Sequence, residues 1–234
     1  MPPFLYLISM EKYTGQKGIN GVFEAIMNVI PEFEIFIDVF AGSGVIANCI
    51  KGIDNNSDVR PNDLNPECVK FLRADLVQSF TTVPAVQLIK EYTCRDHVLF
   101  LDPPYMHETR PAGTDIYGKF EMLDNDHIQL LLTVLQSNAK IIIIHPDCET
   151  YNSYLSEWYK KDVYIRYNTK TSHEVIYTNF NPEAERLFTY DYVGFDCWER
   201  QRIKRKTQRL IDKLSDLPFH EREAIIRSIQ ERFC

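Results

Sequence analysis

Val98-Leu99-Phe100-Leu101-Asp102-Pro103-Pro104-Tyr105 reads as a buried strand closed by a carboxylate, two prolines and a tyrosine. An unbroken apolar run suits a strand covered on both faces, as in sheets flanked by helices. Asp102 then stands at the carboxyl edge of the sheet, where open α/β folds receive their ligands. Such an edge suits a planar substrate bearing an exocyclic amino group. The carboxylate and a proline carbonyl can accept its N–H hydrogens, and Tyr105 can stack on its face. The competing reading is a plain proline turn at the end of a strand.

Outward from this point, strand and helix patterns alternate. Gly18 to Ile30 has helical apolar spacing that Pro31 closes. Ile35 to Phe40 is a buried strand, Ala41 to Gly44 a tight turn and Val45 to Ile50 a helix. Asp58 to Asp63 forms a second strand, followed by a helix from Pro66 to Val77, with proline suited to the first turn. Pro84 to Tyr92 and Asp126 to Ser137 are helical, the latter with Ile128, Leu131, Leu132 and Leu135 inward. Ile141 to Ile144 is the core of an apolar strand and Tyr151 to Tyr159 a helix; Val163 to Tyr167 and Glu174 to Phe180 form a hairpin. These units predict an α/β fold, Rossmann-like, with a mostly parallel sheet and an antiparallel edge hairpin. Residues 1–181 make this domain. Residues 182–234 form a basic helical extension, with helices over Arg200 to Lys213 and Phe219 to Phe233.

The turn Phe40-Ala41-Gly42-Ser43-Gly44 lets a ligand approach the backbone, because glycine removes the Cβ obstruction. It also serves as an ordinary strand-to-helix connection. Asp63, at the end of the next strand, can take two ribose hydroxyls of a nucleoside cofactor, or cap the helix at Pro66. Lys17, before the first helix, is a candidate for a carboxylate on that cofactor. No Walker lysine-serine pair follows the glycines, which disfavours a nucleoside triphosphate.

The chain has 234 residues and a formal net charge of −7. From Glu199 onward the charge is +4 and over the first 198 residues −11, so the tail is the basic part. An acidic body does not exclude nucleic acid, since phosphate contacts are local and screened beyond about 8 Å. Six cysteines without a C-x-x-C pair signal neither a zinc cluster nor a disulfide framework, and the histidines His107, His127 and His145 lack zinc spacing, so no metal is expected. Phe4 to Met10 is too short to span a bilayer and lacks a signal-peptide pattern; the expected setting is soluble and cytoplasmic.

Four spaced motifs together resemble the Dam-type DNA adenine methyltransferases. Tyr13 to Lys17 is similar to that family's Y-x-G-G-K element, with Gln16 in place of a glycine. Asp38 to Gly44 is similar to its D-x-F-x-G-x-G, Asn62 to Asn65 to its N-D-x-N, and Asp102 to Tyr105 matches D-P-P-Y letter for letter. The strand Glu174 to Phe180 resembles its last sheet strand. The resemblance implies a Rossmann-like methyltransferase sheet and S-adenosylmethionine as cofactor. It places Tyr13, Lys17, Asp38, Phe40, Ala41, Gly42, Gly44, Asp63 and Asp102 around the cofactor, and Asp102, Pro103, Pro104 and Tyr105 at the reacting amine. It implies methyl transfer to N6 of adenine in double-stranded DNA after base flipping, in a bacterial or phage-infected cell. Two features depart from the family. No acid-aromatic pair precedes the D-P-P-Y strand around Thr82 to Val86, and only Leu76 to His97 is available for the usual target-recognition insertion.

The segment Met106 to Asp126 is long for a strand-to-helix connection, and such loops are often functional. It is expected to close over the base, with Arg110 and Lys119 anchoring phosphates and Tyr117 near the substrate. The basic helix could track phosphate in place of the missing insertion, and the C-terminal helices offer a surface for a homodimer. Other readings stay open: N4 of cytosine, adenine in RNA or a protein glutamine as acceptor, or a non-catalytic cofactor- or DNA-binding subunit.

Overall fold

The computed structural model describes residue 17 and residues 21–110, 117–167, 170–188 and 197–233. The chain divides into two compact units, Met1–Ile165 with Thr171–Tyr192, and Arg166–Lys170 with Val193–Cys234. The elements run α1 (Val22–Met27), β1 (Ile35–Asp38), α2 (Val45–Ile53), β2 (Asp58–Pro61), α3 (Ala85–Glu91), β3 (His97–Leu101) and α4 (Asp124–Leu135). There follow β4 (Lys140–Pro146), α5 (Glu149–Tyr154), β5 (Tyr159–Tyr167), β6 (Lys170–Thr178), α6 (Pro182–Glu185), α7 (Cys197–Ser215) and α8 (Phe219–Phe233).

The six strands lie in the order β2-β1-β3-β4-β6-β5. The first four are parallel and β6 runs antiparallel to β4, so the sheet is Rossmann-like with an antiparallel edge hairpin. Strand order steps from β1 to β2 on one side and to β3 on the other. The crossovers therefore diverge between β1 and β3, which opens a crevice at their carboxyl ends.

The central strands β1, β3 and β4 are largely apolar because both faces are covered. Phe36, Val98, Phe100, Ile142 and Ile144 pack with α1 and α2. Their neighbours Ile37, Leu99, Leu101, Ile141 and Ile143 pack with α3, α4 and α5 on the other side. Successive strand side chains point to opposite faces, so an unbroken run feeds two cores.

Several elements differ from the sequence-based expectation. Residues after Pro66 form two short 3₁₀ segments, Pro66–Phe71 and Val77–Ser79, instead of one helix. The Asn48 side chain accepts from Arg73 N at 2.9 Å and donates to Phe71 O at 2.9 Å, replacing intrahelical partners and breaking the run. Asn65 caps the first segment by accepting from Glu67 N. Helix α5 stops at Tyr154, and the aromatic stretch from Tyr159 onward belongs to the edge strand. In α4 the buried face is His127, Leu130, Leu131 and Val134, while Leu132 and Leu135 are exposed. That correction follows from His127, which bonds the Tyr151 hydroxyl at 2.9 Å and rolls the helix about its axis.

Helices α7 and α8 belong to the second unit, where Leu210, Ile211, Phe219 and Ile229 are exposed. Among the described residues, no helix is long and apolar enough to cross a membrane, and no three His, Cys, Asp or Glu side chains converge as a metal site. Cys94 and Cys148 are free thiols.

Candidate active site

The register pairs Asp38 with Phe100, so β1 ends two residues short of Asp102 and the two carboxylates flank the crevice. Backbone bonding continues beyond the strands: Asn62 N donates to Asp38 O at 2.8 Å and Ala41 N to Asn62 O at 2.8 Å. The turn that follows needs its glycines. Gly42 and Gly44 have φ of 50° and 65°, in the left-handed region, and a Cβ on Gly44 would collide with the Leu72 side chain.

Asp63 is tied to this turn. Its carboxylate accepts from Gly42 N at 2.9 Å and from Asn65 N at 2.8 Å, and burial raises its pKa against those two bonds. Asn62 beside it donates to Val39 O at 2.9 Å and to Val83 O at 3.1 Å, and accepts from Val83 N at 2.8 Å. Asp38 is buried, and its Oδ1 has no hydrogen-bond partner. Burial, together with repulsion from Asp102, holds its pKa well above the usual carboxylate range. A buried acceptor left open in this way calls for a donor from a ligand.

Around Asp102 lies a cluster of charged groups. Lys17 Nζ is 3.1 Å from Asp102 Oδ1 and 3.3 Å from Glu174 Oε2, and it also donates to the Tyr105 hydroxyl. The Tyr105 hydroxyl in turn donates to Glu174 Oε1 at 2.7 Å. Burial disfavours the Lys17 ammonium, yet the attraction of Asp102, Tyr105 and Glu174 outweighs it and raises the pKa. For Asp102, burial and the Glu174 charge prevail over Lys17 and push the pKa up to about 7. Burial also raises the Tyr105 pKa, which keeps the phenol neutral. The sequence reading missed Glu174 as a site residue and took it only as the start of the last strand.

Beyond Tyr105 the chain is held from beneath. His145 Nε2 accepts from Met106 N at 3.1 Å while Nδ1 bonds Pro146 O at 2.8 Å. This pairing requires the neutral Nδ1–H tautomer, consistent with burial lowering its pKa to about 3. Its ring stacks on Tyr151 at 3.9 Å and meets Tyr105 edge-on at 5.4 Å. His145 thus supports the turn after β3 from within the core.

A cavity of about 680 Å³ opens at this edge. It brings together Lys17, Asp38, Phe40, Ala41, Gly42, Asp63, Asp102, Pro104, Tyr117 and Lys119 among the residues singled out from sequence. Gly44 instead caps the start of α2, and it, Pro103 and Tyr105 are not among the lining residues. Tyr13 lies outside the described residues. Arg110 corrects the expectation of a phosphate anchor. It is buried, pairs with Glu121 at 2.8 Å and donates to the Tyr105 carbonyl, with Tyr117 stacked over its guanidinium at 5.1 Å. A cation neutralised in the interior braces the loop, whereas Lys119 is exposed. Apolar residues that the sequence did not single out, Leu64, Phe71 and Pro84 to Val86, also line the cavity.

No protein-family model matches the sequence, and no curated protein matches it. Among solved structures, it is similar to a methyltransferase from Pyrococcus furiosus (15% identity, 74% of this chain and 89% of that one, TM-score 0.45). It is also similar to TrmN from Thermus thermophilus (10% identity, 76% and 52%, TM-score 0.46). A third is the N-terminal domain of human METTL16 in complex with SAH (10% identity, 64% and 62%, TM-score 0.40). Likeness at this level leaves function to be read from the site itself.

Proposed function

We propose that the chain transfers the methyl group of S-adenosylmethionine to the exocyclic N6 amine of adenine in duplex DNA, with the base flipped out of the helix. The observation that carries this reading is the Asp102 carboxylate at the strand switch point, lining one cavity together with Asp63 and the glycine turn. The donor set fits the cofactor. Asp38 offers an open buried oxygen, Asp63 a carboxylate for ribose hydroxyls, the Ala41-Gly42 backbone a close approach, and Leu64 and Pro84 apolar walls for a ring. When bound, that cofactor supplies an electrophilic methyl group on a sulfonium centre.

The chain's own residues do the rest. Adenine N6 is a weak nucleophile because its lone pair is delocalised into the ring. Accepting its N–H hydrogens at the Asp102 carboxylate and the Pro103 carbonyl localises that pair and fixes its direction. As the nitrogen gains its new bond to carbon it becomes positive and must lose a proton. An Asp102 whose pKa is held at about 7 can take that proton and release it to water. Flipping costs a few kcal/mol of unstacking, which stacking contacts and hydrogen bonds to the base inside the cavity offset.

Duplex DNA as partner rests on helix α7. Arg202, Arg205, Lys206, Arg209 and Lys213 fall within about 100° of arc and along about 16 Å of helix, and all five are exposed. A stripe of like charge repels itself along the helix, and an anionic backbone relieves that repulsion.

The test is to incubate the full chain with radiolabelled S-adenosylmethionine and mixed-sequence duplex DNA, digest to nucleosides and identify the labelled product. N6-methyldeoxyadenosine is the expected result. Label confined to RNA offered in parallel, or none in any DNA base, overturns the reading.

A further inference from the structure

Of the two carboxylates in the buried cluster, Asp102 takes part in the proposed chemistry and Glu174 does not. It sits on β6 opposite Pro146 of β4, followed by the buried Val175, Ile176 and Tyr177. Its side chain is only 8% exposed, and both oxygens are committed: Oε1 to the Tyr105 hydroxyl at 2.7 Å and Oε2 to Lys17 Nζ at 3.3 Å. An interior strand position would take an apolar side chain at no desolvation cost, so a carboxylate there needs a compensating reason. The cluster also holds two carboxylates for one ammonium, one more than charge balance requires.

We propose that Glu174 is a positioning residue of the methyl-transfer site, anchoring Tyr105 and keeping the Lys17 ammonium paired while Asp102 turns its carboxylate to the substrate amine. Lys17 Nζ lies 4.6 Å from the centre of the Tyr105 ring and within bonding distance of Asp102, the same surroundings that an incoming amine would use. Asp102 can serve the amine only if its hold on Lys17 is relaxed. A lone buried ammonium would resist that release, and Glu174 supplies the second anion that permits it. Tyr105, fixed through its hydroxyl, keeps its ring in place throughout the exchange.

The inference rests on the proposed function, and its test separates the two. The groups facing Asp102 are Lys17 ahead of α1, Glu174 on β6, Asp38 on β1, Tyr105 and Tyr117 on the loop after β3, and Tyr151 on α5. Glu174→Gln keeps size and an acceptor for Tyr105 but removes the anion. In the full chain, kcat should fall roughly tenfold or more while KM for DNA changes little. The acid limb of the pH–rate profile should move to lower pH, because a negative neighbour that raised the Asp102 pKa is gone. The same shift is read without turnover by a ¹³C NMR titration of the Asp102 carboxyl.

An NMR shift downward in a protein that methylates no base would support the role of Glu174 in holding the cluster and overturn only the proposed function. Unchanged kcat and an unchanged Asp102 titration would overturn the inference. Should Glu174→Gln fail to fold, Tyr105→Phe removes the same hydrogen bond from the other side. A kcat equal to wild type in that variant would overturn it equally.

Discussion

Lys17 and Arg209 carry the same charge in opposite settings. Lys17 is sealed between Asp102, Glu174 and Tyr105 with 7% of its side chain exposed, whereas Arg209 stands in solvent on α7 beside Arg202 and Arg205. At the sheet edge each charge lies against named partners, and its energy depends on that geometry. On α7 the charges act as a field over a surface, screened by salt and tolerant of small displacements. Loss of a single group should therefore be severe in the first region and graded in the second.

The sharpest way to break this contrast is Asp102→Ala. Methyl transfer should fall by roughly a thousandfold or more, while affinity for S-adenosylhomocysteine, measured by calorimetry, stays within about threefold. A large loss of affinity instead would mean that Asp102 belongs to the cofactor side of the cavity.

A second test uses pH. The folded pKa of Asp102, about 7, lies above its unfolded value, so its contribution to stability is complete below about pH 4 and is lost as pH rises through 7. Relative to Asp102→Asn, which does not titrate, wild type should lose on the order of 3 kcal/mol between pH 4 and 8 in denaturant melts. A flat difference would show that Lys17 compensates the carboxylate fully.

Gly44→Ala probes the turn. Positive φ and the collision with Leu72 should cost about 1–3 kcal/mol, seen as a Tm several degrees lower. On α7, Arg205→Gln with Arg209→Gln should leave Tm nearly unchanged. It should reduce the slope of log K against log salt for duplex DNA by about one for each cation that contacts phosphate. An unchanged slope would remove α7 from the DNA interface.

The contrast also explains what could be read from sequence. The Asp102 turn, the glycine turn and Asp63 are local patterns, each recognisable within a few residues, and the central parallel strands β1, β3 and β4 declare themselves by apolar runs. Glu174 was hidden because its partner Lys17 lies 157 residues away and a single acid in a strand looks like a solvent-facing position. Arg110 was misjudged because sequence reveals a charge but not its direction, and Glu121 draws it inward. The inner face of α4 was misread for a related reason, since hydrophobicity cannot announce that His127 pairs with Tyr151. The helix expected after Pro66 failed because Asn48, some two dozen residues upstream, takes over its backbone groups.

The amide of Asn62 reaches Val39, Thr81 and Val83 at once, so the ends of two strands and the approach to α3 share one rivet. The strand ends on the Asn62 side of the cavity are thus tied into one unit, while the loop after β3 on its rim carries the Arg110–Glu121 pair. Under the proposed function, changes in that loop would alter which acceptor is admitted while the Asn62 rivet keeps the glycine turn and Asp63 in place, so specificity could shift on one side of the cavity alone.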